Sequence, residues 1–135
     1  MRAAKPSLAP RPLNAEYYAQ RATPGGLLIA EASPAMATGF GSPGVPGIYS
    51  DAQIEGWRKV FDAVHAKDAI IFLQLWHVGR VSHSSFQPEG RLPVAPSAVA
   101  IPPDVQLHIR ESILPIVVMD FRPAPCGASR NDGGL

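Results

Sequence analysis

Cysteine is all but missing. Cys126 stands alone in 135 residues, which excludes an internal disulfide and fits a reducing compartment. No run of about 18 apolar residues occurs, so no membrane-spanning helix is expected. Neither sign of charge dominates: 12 basic against 11 acidic side chains leave +1. With no basic patch and no acidic block, a nucleic-acid partner is not expected. Length sets another bound. A chain of 135 residues makes one small domain, whereas a complete eight-stranded α/β barrel takes at least about 200. No apolar signal segment opens the chain, and Gly133-Gly134-Leu135 is not a peroxisomal tripeptide, so a cytoplasmic location is expected.

Proline is absent from one place and abundant elsewhere. None falls between Pro46 and Pro88, although the chain holds 15, about twice the ordinary share. Proline removes a backbone donor and blocks helix interiors, so regular structure can run uninterrupted in that window. There Ile54, Trp57, Val60, Phe61 and Val64 form one stripe at helical spacing, which predicts a helix over residues 51–67. Ser50 and Gln53 have the spacing of a capping box, and Asp51 adds negative charge to the first turn. Residues 69–76, AIIFLQLW, read as a strand covered on both faces, and residues 26–32, GLLIAEA, read the same way. Asn14–Ala22 is expected to form a short helix capped by Asn14. Two such strands joined through a helix make a βαβ unit, hence a parallel pair in an α/β fold. Two strands alone leave open edges, through which self-association is expected.

Several candidate sites reduce to ordinary structure. Gly39-Phe40-Gly41-Ser42-Pro43-Gly44 has the dinucleotide spacing G-x-G-x-x-G. That motif must run from a strand end into a helix, and Pro43 and Pro46 block a helix at Gly44, so a plain loop is expected. His65, His77, His83 and His108 lack the spacing that sets two metal ligands on one helical face, and no metal site is expected. Glu31, Gln74, Trp76, His77 and Arg80 fall at or just past the carboxyl ends of the two strands, where α/β folds bind ligands. Each also has a structural role open to it: an ion pair for Glu31, packing for Trp76, a backbone-bonded core amide for Gln74. A carboxamide at Gln74 carries one acceptor and a two-proton donor, a match for an imide-like ring edge such as a flavin or pyrimidine offers.

At these residues the sequence resembles the old yellow enzyme family of flavoproteins, and within it the plant 12-oxophytodienoate reductase branch. The likeness rests on AEYYAQRATPGGLLIAEA at residues 15–32, PGIYSD at 46–51 and WRKVFDAVHAKDAIIFLQLWHVGRVSHSSFQ at 57–87. It continues more weakly through PVAPSA at 93–98. It implies a fragment of a TIM (β/α)8 barrel over residues 14–98, with an irregular segment at 1–13 and a diverged tail at 99–135. It implies FMN as cofactor, NADPH as reductant and an α,β-unsaturated carbonyl of the oxylipin type as substrate. Two flavin contacts carry over: Ala32, whose small side chain lets its backbone meet the flavin ring, and Gln74, whose carboxamide bonds the pyrimidine side.

Other parts of the family pattern are not found. Met1–Leu13 lacks the first strand with its flavin-contacting threonine. The histidine pair for the substrate carbonyl, the tyrosine proton donor, the flavin arginine and the phosphate loops would fall beyond residue 135. No catalytic residue is therefore assigned. Two readings stay open at this point: an enone reductase, or a truncated relative without activity of its own.

Overall fold

The second helix has the strongest local reasons to form. In the computed structural model, which describes Ala4, residues 6–97, Val99 and the backbone of residues 117–120, α2 runs Asp51–His65. Ser50 caps it: its Oγ accepts from the Gln53 N–H, and Gln53 Oε1 accepts from the Ser50 and Tyr49 N–H groups. The capping box read from the spacing is thus formed. The stripe needs one correction. Trp57, Val60, Phe61 and Val64 are buried, but Ile54 is 38% exposed. Its place on the packed face goes to Gln53 and Gly56, because a Cβ on Gly56 would come within 2.8 Å of the Pro10 carbonyl oxygen. The chain at Pro10 crosses the helix too closely for a side chain there.

The first helix, α1, begins earlier than the asparagine cap predicts. It spans Pro12–Ala19, with Pro12 in the first turn, where its missing N–H costs nothing. Arg11 holds the N-cap position, and Asn14 instead sits inside, its Oδ1 accepting from the Arg11 N–H at 3.0 Å. Tyr18 from α1 and Trp57, Phe61 and Val64 from α2 pack over Ala30, Ile71 and Leu73 of the sheet. Burying each large member of this layer contributes about 1.5–3 kcal/mol. The Trp57 indole N–H is satisfied by the Gly47 carbonyl at 3.0 Å.

The sheet holds three strands in the order β1-β2-β3. β1 (Leu27–Pro34) and β2 (Ile70–Trp76) are parallel, as the βαβ reading requires. β1 runs past the predicted end at Ala32 through Ser33 and Pro34. A proline is tolerated there because its missing N–H is on an edge strand. β3 (Val117–Asp120) lies antiparallel on the far edge of β2, pairing Phe72 with Asp120 and Leu75 with Val117. Within the tail expected to be diverged, these residues therefore form a strand. They cover one of the two edges expected to be open, and β1 keeps the other among the described residues.

Burial corrects a further expectation. Along β2, Ile71 and Leu73 are fully buried against the helices while Ile70, Phe72 and Gln74 are only half-buried. The opposite face is thus open among the described residues, and Leu27 and Ile29 of β1 are 61% and 60% exposed on it. In a barrel that face points inward.

Candidate functional site

Strand pairing decides which side chains meet. The β1–β2 register is Leu27 with Ile70, Leu28 with Ile71 and Ile29 with Phe72, then Ala32 with Gln74. One extra residue of β1 is accommodated between Ile29 and Ala32, a β-bulge. Beyond it, Ser33 pairs with Leu75 and Pro34 with Trp76. Partners in a parallel pair point to the same side, so Leu27, Ile29, Ala32 and Pro34 share the open side with Ile70, Phe72, Gln74 and Trp76, although Pro34 at the strand end is fully buried. Ala32 and Gln74 lie next to each other, on strands about 4.8 Å apart, near the carboxyl ends. The structure brings these two sequence-assigned positions together.

Loops close over those strand ends. A Cβ on Gly39 would sit 3.3 Å from the Trp76 carbonyl oxygen, and one on Gly41 2.9 Å from the Val78 side chain. The glycines of the G-x-G-x-x-G stretch therefore permit close packing against the end of β2. No helix begins at Gly44, as the proline argument requires. His77 Nδ1 accepts from the Gly79 N–H at 3.0 Å, leaving its Nε2 to donate to Thr38 Oγ1 at 3.1 Å. It ties the two loops together. Arg80 reaches away, donating to the Ser97 hydroxyl and the Val99 carbonyl. His65 packs edge-on against Phe61, and His83 bonds Ser85. Cys126 and His108 lie outside the described residues.

Glu31 does not belong to the open face. Its N–H donates to the Tyr18 hydroxyl at 2.9 Å, and that hydroxyl donates to Glu31 Oε1 at 3.4 Å. Burial, reinforced by the neighbouring carboxylate, raises the Tyr18 pKa well above the ordinary tyrosine value of 10.0. Sequence reasoning missed this pair, although Tyr18 stands within the AEYYAQRA stretch. A cleft of about 430 Å³ opens elsewhere, lined by Phe40, Tyr49, Phe86 and Gln87 among others, and includes neither Ala32 nor Gln74.

Residues 1–115 match the NADH:flavin oxidoreductase / NADH oxidase family. The chain belongs to that family. The family's cofactor is FMN. Among its members, 12-oxophytodienoate reductase 1 of Oryza sativa subsp. japonica is 48% identical over 122 residues, covering 85% of this chain and 32% of the relative. The rice 12-oxophytodienoate reductase 7 is 57% identical over 86 residues, covering 64% of this chain and 22% of the relative. A solved structure of morphinone reductase in complex with tetrahydroNAD is 52% identical with a TM-score of 0.67, over 71% of this chain and 26% of that one. The chain thus spans about a third, 32%, of the length of the first of these relatives. Its sheet and helices are a fragment of an old yellow enzyme type (β/α)8 barrel.

Gln74 and Ala32 suit the group that this family uses. Among the described residues, no hydrogen bond engages the Gln74 carboxamide. Ala32 beside it adds only a methyl group, which leaves room for a planar ring to lie against the backbone. None of the eight positions that β1 and β2 bring to this side carries an ionisable side chain.

Proposed function

We propose that this chain supplies the flavin-edge portion of an FMN-dependent reductase of α,β-unsaturated carbonyls, drawing on NADPH and acting on oxylipin-type enones of the 12-oxophytodienoate class. The bulged register that sets Ala32 beside Gln74 at the strand ends carries this reading. The names of the rice relatives favour the oxylipin substrate, and the tetrahydroNAD complex of morphinone reductase favours a nicotinamide reductant.

Bound FMN supplies hydride transfer between the nicotinamide and the enone β-carbon. Gln74 would hold the pyrimidine side of the ring with a donor and an acceptor, fixing its orientation in the plane. Ala32 would admit the ring to the strand, and the half-buried Ile70 and Phe72 would keep water from beneath it. Neither β1 nor β2 brings an ionisable side chain to this face, so neither strand supplies the substrate's proton. We assign this chain, taken alone, flavin binding without turnover.

The test is a titration of the purified chain with FMN, followed by flavin fluorescence, then incubation with NADPH and a cyclic enone. Saturable quenching at one flavin per chain with no NADPH-dependent loss of enone is expected. Absence of saturable quenching overturns the flavin site, and enone turnover overturns the assignment of no activity.

A further inference from the structure

The bulge in β1 has a consequence for which residue meets the flavin. Continuing the pairs Leu27–Ile70, Leu28–Ile71 and Ile29–Phe72 without it would set Ala30 against Leu73 and Glu31 against Gln74. A strand's side chains alternate, so a one-residue slip exchanges the two faces. Glu31 would then bring a carboxylate to the open face, and Ala32 would turn toward the helices. The bulge prevents this, at the cost of leaving the extra residue's backbone outside the ladder.

That orphaned donor is found and satisfied. The Glu31 N–H meets the Tyr18 hydroxyl at 2.9 Å, and the same oxygen donates to the Glu31 carboxylate at 3.4 Å. A phenol can do both at once, since it donates and accepts. Tyr18 is itself 5% exposed, wedged between Tyr17 at a ring-centroid distance of 5.2 Å and Trp57 at 6.3 Å. Its ring is thus fixed within the core layer, and its hydroxyl reaches β1 at Glu31. A buried backbone N–H without a partner is strongly disfavoured, so this hydroxyl weights the balance toward the bulged register.

We propose that Tyr18 is a positioning residue for the flavin site, its hydroxyl pinning the bulge that places Ala32 rather than Glu31 beside Gln74. It touches no cofactor and acts only through the register of β1. The flavin half of this inference rests on the function proposed above, and the register half stands without it.

Tyr18→Phe keeps the ring and removes the hydroxyl. Amide hydrogen exchange on the full chain is expected to show the Glu31 N–H losing about tenfold or more of its protection, while the Ile71 and Val60 amides hardly change. FMN affinity is expected to fall by about tenfold in the same variant. Val64→Ala serves as the packing control, because it loosens the same layer without touching the hydroxyl. It is expected to lower the melting temperature and leave FMN affinity unchanged. Undiminished Glu31 protection in Tyr18→Phe overturns the proposal. So does a loss of FMN affinity in Val64→Ala equal to that in Tyr18→Phe. If the parent chain fails to bind FMN, the function proposed above falls, and the exchange measurement still decides whether the hydroxyl holds the bulge.

Discussion

Replacing Gln74 with leucine separates flavin recognition from folding more cleanly than any other change in this chain. Leucine matches the carboxamide in bulk and removes its donor and acceptor together. Each neutral hydrogen bond contributes about 0.5–1.5 kcal/mol net, so two lost bonds cost about 1–3 kcal/mol of binding. That converts to a rise in the FMN dissociation constant of about 5- to 150-fold. Stability should scarcely respond. Gln74 is half-buried and makes no hydrogen bond to a described residue, so leucine is expected to change folding free energy by no more than about 0.5 kcal/mol. Fluorescence titration reads the first quantity and thermal unfolding without flavin reads the second. Gln74→Leu binding FMN as tightly as the parent refutes the reasoning. A melting temperature that falls in step with affinity refutes it equally, because Gln74 would then be a structural amide.

Three further outcomes follow from the packing and the titratable groups. Leu73→Ala empties a fully buried position beneath the helices and is expected to cost about 2–5 kcal/mol, read by urea unfolding; a loss below about 1 kcal/mol contradicts the core described. Gly56→Ala improves helix propensity yet drives a Cβ to 2.8 Å from the Pro10 carbonyl oxygen, so the melting temperature should fall rather than rise. Tyr18 ionises less readily folded than unfolded, so the unfolded chain releases its proton first as pH rises past about 10. Its contribution to stability is therefore complete below that pH and lost progressively above it, and Tyr18→Phe should flatten the alkaline decline seen in denaturant titrations. An unchanged alkaline slope contradicts the burial assigned to that hydroxyl.

Local rules and tertiary rules divide what could be read from the chain. The start of α2 was legible because Ser50 and Gln53 exchange hydrogen bonds with backbone only three residues away. The strands at GLLIAEA and AIIFLQLW were legible from apolar runs, and their parallel pairing from the helix between them. Ala32 and Gln74 could be singled out by family resemblance, but their adjacency could not. It depends on a bulge whose orphaned N–H is satisfied from another element, by Tyr18 thirteen residues upstream of Glu31. Ile54 fits the helical stripe yet is 38% exposed, while the crossing chain at Pro10 comes down on Gly56. Arg11, not Asn14, precedes the first helical turn because Pro12 suits that turn as well as any cap does. The antiparallel β3 was not legible, because it falls within residues 99–135, where the family likeness fades into a tail expected to be diverged.

The central claim is that Ala32 and Gln74 form one flavin-facing row at the ends of β1 and β2. Nitrogen-15 NMR of the labelled chain, recorded as FMN is added, tests it most directly. The Gln74 side-chain amide and the Ala32 backbone amide are expected to shift together and saturate at one equivalent of flavin. Shifts confined to Gly39–Gly44 or to the Phe40–Tyr49 cleft, with Gln74 and Ala32 unmoved, would contradict it.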